Sequence, residues 1–267
     1  MSAGHAAPRD HASAVWLRRL APAPQPWVRL VCFPHAGGTA AFFRSWHDVL
    51  PADIELYAVQ YPGRLDRVTD PCVRDMDLVA GPVAAAIRSL SDRPLALFGH
   101  SLGAVIAYEV TRRLPARPRP AVARLFVSGR PAPDRQRSGT KHLASDEALW
   151  AELARLGGTA PDVLADGEIR RAFLPALRSD YCLSETYRPR PGPPLECPVT
   201  VLLGDRDPEV DLAEAASWAN FTRAELSVRT FPGEHFYLTA CLPEVVREIH
   251  NQLTESLPAR SPDWAGP

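Results

Sequence analysis

The stretch LALFGHSLGAVIAYEV, residues 95–110, determines the fold prediction for this chain. It begins with a nearly continuous apolar run, which is typical of a strand buried on both faces of a parallel sheet. From Leu102 onward the apolar residues have the spacing of a helix. The junction GHSLG, residues 99–103, matches the pattern G-x-S-x-G. A strand that turns into a helix at such a serine predicts a nucleophile elbow, which lifts the Ser101 hydroxyl above the sheet edge.

Outward from this stretch, apolar strand patterns alternate with helical patterns in both directions. Short connections between such elements predict an α/β fold with a mostly parallel, doubly wound central sheet. The loops at the carboxyl ends of the strands then lie along one edge, where sites form. The predicted strands are residues 28–33, 54–61, 95–101, 123–129, 198–204 and 224–231, and the predicted helices are residues 39–50, 73–90, 102–114, 211–220 and 244–257.

One region, residues 131–194, interrupts the alternation. It contains helical patterns at 146–156, 166–177 and 178–187 but no convincing strand. About 60 residues are too many for a structureless loop in a compact domain. We therefore predict a helical insertion that lies over the site edge, and a helical decoration without a gating role is the alternative.

The alternating pattern predicts a single domain over residues 27–257. The flanking segments, residues 1–26 and 258–267, are rich in Ala and Pro, and we predict a flexible leader and a flexible tail. Neither a signal-peptide pattern nor an apolar run of about 18 residues occurs, which predicts a cytoplasmic protein without a membrane partner.

Composition excludes further classes of protein. The 267 residues carry a formal net charge of −1, whereas a nucleic-acid-binding protein usually has a basic excess. The five cysteines are scattered without a CxxC pair, which argues against a disulfide framework or a zinc site and predicts buried free thiols. No pattern indicates an oligomeric state.

A serine hydroxyl needs a base to become a nucleophile, and the chain has eight histidines. His235 is the best candidate because it follows the last predicted strand, in the loop FPGEHF at residues 231–236. In a fold of this kind the catalytic partners follow the order serine, acid, histidine along the chain. Of the other seven histidines, six fall in the leader, in helical patterns, in the insertion or beside the nucleophile, and His35 lies in the loop at residues 33–38.

The acid is expected between Ser101 and His235, at the end of a strand. The strand PVTVLLG ends in GDRDP, which offers Asp205 and Asp207 as partners for an imidazole N–H. We prefer Asp207, which lies deeper in the loop and just ahead of a proline that can open a helix. Asp205 is better suited to brace the turn, and Asp134, after the preceding strand, is a third candidate.

Two backbone N–H groups are candidates for an oxyanion hole. One belongs to Leu102, directly after the nucleophile, and the other to Ala36 in the loop FPHAGG at residues 33–38. The two glycines of that loop allow it to fold tightly and approach a substrate. Such donors stabilise charge that appears only in the transition state.

The motifs FPHAGG, QYPGR at residues 60–64, GHSLG, GDRDP and PGEHF together resemble those of type II thioesterases, which accompany polyketide synthases and nonribosomal peptide synthetases. The resemblance covers about residues 27–255. It implies an α/β-hydrolase fold with a helical lid after the strand near Gly129. It also implies Ser101 as nucleophile, Asp207 as acid, His235 as base, and Ala36 and Leu102 as oxyanion donors.

The same resemblance implies a substrate and a partner. The enzyme would remove acyl groups from the phosphopantetheine arm of acyl or peptidyl carrier proteins, with no metal and no cofactor beyond the one that the substrate carries. The triad alone does not separate a thioesterase from a carboxylesterase or lipase, or from an acyltransferase or cyclase. A noncatalytic binding protein on the same fold is a further alternative.

Overall fold

A seven-stranded sheet forms the centre of the computed structural model, which describes residues 11–116, 121–158 and 161–257. Its spatial order is β1-β3-β2-β4-β5-β6-β7; β1 is antiparallel to β3, and all other neighbours are parallel. The predicted α/β class with a mostly parallel sheet is therefore confirmed. The strands are β1 (Leu17–Ala21), β2 (Val28–Phe33), β3 (Ile54–Val59), β4 (Leu95–His100), β5 (Val122–Ser128), β6 (Val199–Gly204) and β7 (Leu226–Phe231).

Helices cover both faces of this sheet. The α-helices are α1 (His11–Trp16), α2 (Met76–Arg88), α3 (Leu102–Thr111), α4 (Asp146–Leu156), α5 (Pro161–Ala165), α6 (Gly167–Thr186), α7 (Leu212–Ala216), α8 (Tyr237–Ala240) and α9 (Leu242–Ser256). Short 3-10 helices span Ala40–Asp48, Leu65–Arg67, Pro133–Arg135, Lys141–Leu143 and Ser217–Phe221. One apolar core lies between the sheet and α2 and α3, and a second lies between the sheet and α9 with the segment Ala40–Asp48.

The central strands owe their position to their apolar side chains. Every residue of β4 and of β6 is buried, as expected for strands covered on both faces. The register pairs Phe33 with Gly99, His100 with Ser128, and Gly204 with Phe231. The carboxyl ends of β2, β4, β5, β6 and β7 therefore lie along one edge.

The prediction of a flexible leader over residues 1–26 is wrong for β1. This strand pairs antiparallel with β3, and its Leu17 is buried in the core. The sequence LRRLA has no apolar run, because an edge strand is half exposed and tolerates charged residues. Residues 1–10 and the predicted tail, residues 258–267, lie outside the described residues.

The connection between β5 and β6 is helical, as predicted. Its longest element is α6, in which Asp166 caps the N-terminus by accepting from the N–H groups of Glu168 and Ile169. We predicted two pieces meeting at residues 177 and 178, but α6 runs through without a break and contains Pro175. A lid role for this insertion stays a prediction.

Two further predictions concern the whole chain. All five cysteines are free thiols, as predicted, but only Cys32 and Cys197 are buried, and the prediction of burial is wrong for the other three. Among the described residues, no helix has both the length and the apolar character needed to cross a membrane.

Candidate active site

Ser101 lies in the sharp turn between β4 and α3. Its φ of 54° and ψ of −118° belong to a strained conformation that a non-glycine residue adopts only when its surroundings impose it. The surroundings here are the two glycines of the motif. A Cβ on Gly99 would overlap the backbone of Gly103, and a Cβ on Gly103 would overlap the carbonyl oxygen of Phe33. The strained conformation of Ser101 is thus imposed by close contacts between the backbone of the motif and the backbone of its neighbours.

His235 and Asp207 form a hydrogen-bonded pair. The Nδ1 atom of His235 lies 3.0 Å from each carboxylate oxygen of Asp207. Both side chains are almost fully buried, at 2% and 0% exposed. Because a carboxylate only accepts, Nδ1 carries the proton and Nε2 of a neutral ring is free to act as a base.

The alternative acids are placed elsewhere. Asp205 accepts a 2.8 Å hydrogen bond from the N–H of Gly233 and so braces the turn that precedes His235. Asp134 is exposed on the 3-10 helix Pro133–Arg135. Of the three candidates, the structure brings Asp207 to the imidazole.

Close backbone contact holds the two loops together. The N–H of Arg206 donates to the carbonyl of Gly233 at 2.9 Å, and a Cβ on Gly204 would overlap the same segment. Gly129, at the end of β5, has a φ of 60°, and a Cβ there would lie 3.1 Å from Cε1 of His235. Small residues at the strand ends therefore allow the histidine to approach the sheet edge.

Ser101 and His235 line the same cavity of about 300 Å³, together with both predicted oxyanion donors, Ala36 and Leu102. Leu102 is the first residue of α3, where unpaired N–H groups and the helix dipole favour negative charge. Among the described residues, the Ser101 hydroxyl has no hydrogen-bond partner. Catalytic hydrogen bonds of this kind commonly tighten only when substrate is bound.

Two other buried histidines surround the pair, and the sequence did not indicate them. The ring of His100 lies 4.9 Å from that of His235 between centroids, and His35 lies 5.9 Å from His100. Burial, with the neighbouring His235, lowers the pKa of His35 to about 3 and the pKa of His100 well below its usual value. Both rings are therefore neutral near pH 7, and His100 is held by the hydroxyl of Ser128 at 2.9 Å.

A buried ion pair holds the loop that contains Ala36. Arg64, from the QYPGR motif, binds both oxygens of Asp180 at 2.6 and 2.9 Å, and each side chain is about 5% exposed. Asp180 also accepts from the N–H of Gly37 at 2.7 Å, and Arg64 donates to the carbonyl of Gly38 at 3.1 Å. The loop is thus fixed from both sides by one charge pair.

Sequence reasoning noted the QYPGR motif but assigned no role to Arg64 or Asp180. A usable signal was present, since Asp180 lies between Leu177 and Tyr181 on an apolar face of the predicted helical region. A carboxylate in such a position is almost never buried without a partner.

Comparison with known proteins identifies the family to which the chain belongs. Residues 28–253 match the thioesterase domain family. The chain is 44% identical over 242 residues to Thioesterase PikA5 of Streptomyces venezuelae, covering 90% of this chain and 86% of that protein. It is 42% identical over 261 residues to the probable cadicidin biosynthesis thioesterase of Streptomyces griseus, covering 97% and 69%. The solved type II thioesterase BorB, from the borrelidin biosynthetic cluster, is 43% identical with a TM-score of 0.82, covering 90% and 98%. The superposition confirms the α/β-hydrolase fold.

Proposed function

The chain belongs to the thioesterase domain family, and we propose that it is an editing thioesterase of a modular synthase. It hydrolyses acyl groups from the phosphopantetheine thiol of acyl or peptidyl carrier proteins and so regenerates carriers that hold a stalled or aberrant unit. The similarity to BorB, a type II thioesterase of a biosynthetic cluster, and to the cadicidin biosynthesis thioesterase supports a role in such a pathway. We expect the protein to act in the cytoplasm, where carrier-bound intermediates are made.

One observation carries the proposed chemistry. A strained serine, Ser101, and an Asp207-bound histidine, His235, lie on the wall of one cavity. A serine with a neighbouring base, which is itself oriented by a third group, is the signature of nucleophilic catalysis. A buried carboxylate beside His235 also stabilises the imidazolium that forms when the ring accepts a proton.

In the first half-reaction, Nε2 of His235 takes the proton of Ser101 as Oγ attacks the thioester carbonyl. The carbonyl oxygen gains negative charge, and the N–H groups of Ala36 and Leu102 stabilise it. His235 then returns the proton to the departing thiolate of the pantetheine arm as the carbon–sulfur bond breaks. The acyl group remains as an ester on Ser101.

In the second half-reaction, His235 takes a proton from water, and the resulting hydroxide attacks the Ser101 ester. The same two N–H groups stabilise the second oxyanion. The proton returns to Ser101 Oγ as the ester bond breaks, and the free acid leaves. Protein groups and water complete the cycle, so we expect no metal or cofactor beyond the phosphopantetheine on the substrate.

The test compares acyl-loaded carrier proteins of several chain lengths with acyl-CoA and simple esters. We expect the highest kcat/KM for acyl carriers, and a loss of about 10⁴-fold or more in Ser101→Ala with the fold intact. Higher kcat/KM for simple esters would favour a carboxylesterase instead. Acyl transfer to an added alcohol or amine in place of free acid would favour an acyltransferase.

A further inference from the structure

Arg130 places a guanidinium on the wall of the catalytic cavity. It follows directly after β5 and Gly129, whose backbone packs against His235 and Asp207. Its own carbonyl accepts from the indole N–H of Trp218 at 3.1 Å, which fixes the backbone. The side chain therefore starts beside the catalytic pair and extends along the cavity.

The partners of this guanidinium are neutral. Its Nη1 donates to the hydroxyl of Ser184 at 3.0 Å, and its Nη2 donates to the side-chain oxygen of Gln136. The Nε–H is buried and has no partner. Within residues 11–116, 121–158 and 161–257, no carboxylate lies within 4.0 Å of Arg130.

The other charged groups of the cavity are paired. Arg137 binds Glu214 at 2.5 Å, and Lys141 binds Glu152 at 2.6 Å. The two cavity acids are also occupied, because Glu185 binds His142 at 2.5 Å and Glu209 binds Arg155 at 2.9 Å. Arg130 differs from these groups, because within the described part of the chain no carboxylate lies at ion-pair distance from it, and Glu209 acts on its charge only from farther away.

Arg130 is half-buried, and Glu209, the anion that acts on its charge, does not reach ion-pair distance, so its position in the wall of a cavity points to a ligand. Burial lowers the pKa of Arg130 to about 10, which still leaves it charged at neutral pH. Ser184 and Gln136 hold the planar group in one orientation, and Gln136 is itself fixed by the carbonyl of Ser184 at 3.0 Å. A fixed guanidinium is well matched to a carboxylate.

We propose that Arg130 binds a carboxylate carried on the acyl group of the thioester, so that the enzyme accepts carboxyacyl as well as simple acyl units. The inference rests on the proposed function. The phosphate of the pantetheine arm is at the far end from the thioester, whereas Arg130 adjoins the residues that hold the thioester. The anion that reaches it must therefore belong to the acyl group.

The test uses malonyl, acetoacetyl and butyryl thioesters of one pantetheine thiol, which have similar size and differ in charge and polarity. In Arg130→Met we expect kcat/KM for the malonyl thioester to fall by about 10-fold or more relative to the butyryl thioester. Arg130→Lys should retain part of the malonyl rate. Arg137→Met is the matched control, since it removes a cavity cation that already has a partner, and it should leave the malonyl-to-butyryl ratio unchanged.

Three outcomes would overturn the inference. The malonyl and butyryl rates could fall equally in Arg130→Met, which indicates a structural role. The acetoacetyl rate could fall as much as the malonyl rate, which indicates recognition of a neutral oxygen. The wild-type enzyme could also hydrolyse butyryl but not malonyl thioesters. A failure of the proposed function itself would give a different result, because the wild-type enzyme would then hydrolyse none of the three thioesters.

Discussion

The hydrogen bond between Nδ1 of His235 and Asp207 decides which nitrogen of the ring can act as a base. In Asp207→Asn the amide can donate, which favours the tautomer with the proton on Nε2. We therefore expect kcat to fall by about 10³–10⁴-fold while the fold survives. Steady-state kinetics with an acyl thioester measure the loss.

Asp205→Asn provides the matched control for this variant. Asp205 lies two residues away in the same loop, but it accepts from the N–H of Gly233 and not from the imidazole. An amide oxygen can keep that bond, so we expect only a small loss of kcat. The reverse order of the two losses would move the acid to Asp205.

Among individual residues, the sequence predicted the catalytic candidates that follow strands. It did not predict the residues whose role depends on being buried beside distant parts of the chain. Ser101, Asp207 and His235 are each found from a local pattern at the end of a strand, because parallel strands end along one edge. His35, His100 and the Arg64–Asp180 pair owe their properties to neighbours more than 20 residues away in the chain. A local pattern carries no information on such contacts.

The elbow between β4 and α3 requires glycines because backbone segments are in direct contact there and leave no space for a side chain. In Gly103→Ala the new Cβ would overlap the carbonyl of Phe33, so we expect a loss of several kcal/mol in the free energy of unfolding, or failure to fold. Gly167→Ala is the control, because its Cβ would meet nothing closer than 3.9 Å at the exposed start of α6. There we expect no loss, or a gain of about 0.5–1 kcal/mol.

Urea unfolding of the two variants measures this difference. Equal stability of Gly103→Ala and Gly167→Ala would show that the turn relaxes around a side chain and that the strain at Ser101 is not imposed by its neighbours.

The ion pair of Arg64 and Asp180 joins α6 to the loop that contains Ala36. In Arg64→Met a buried carboxylate loses its partner, which costs about 3–5 kcal/mol of stability. The double variant Arg64→Met with Asp180→Leu removes both charges and should recover much of that loss. The Asp180 substitution also removes the acceptor of the Gly37 N–H, so we expect kcat of the double variant to lie below that of the wild type.

Urea unfolding and kinetics on the four members of this cycle measure the two effects separately. Additive losses of stability would contradict a direct coupling of the two charges. Full recovery of kcat in the double variant would show that the pair does not position the oxyanion loop.

Among the elements, the strands β2 to β7 were predictable, and the edge strand β1 was not. The buried strand β4 is a run of apolar residues. By contrast, β1 has the sequence LRRLA and is recognised as a strand only from its pairing with β3. Helix α6 was predicted as two pieces that meet at residues 177 and 178, but it continues through that point as one helix.

For the whole molecule, the buried histidines make stability depend on pH. His35 has a pKa of about 3 when folded and about 6.5 when unfolded, so between these values only the unfolded chain binds the proton. Unfolding is therefore favoured as the pH falls from about 6.5 toward 3, by up to about 1.4 kcal/mol per pH unit for this residue. His100 acts in the same direction.

Urea unfolding between pH 7.5 and 4 tests this dependence. In His35→Gln the free energy of unfolding should fall less steeply with decreasing pH than in the wild type. His47→Gln replaces an exposed histidine and should leave the wild-type slope unchanged. An identical slope in His35→Gln and the wild type would contradict the assignment of His35 as a buried neutral ring.

The α/β class and the helical region between β5 and β6 were also predictable for the whole molecule, because alternation of strands and helices is a property of the chain itself. The strand β1 and the network around Arg64 required the folded structure, because they form between segments distant in sequence.

The most direct test of the account is to trap the acyl group on the enzyme. The protein is mixed with a propionyl carrier protein, quenched with acid during turnover, digested and analysed by mass spectrometry. We predict a propionyl adduct on the peptide that contains Ser101, and neither adduct nor hydrolysis in Ser101→Ala. Undiminished hydrolysis by Ser101→Ala, or an adduct on another residue, would contradict the acyl-serine mechanism.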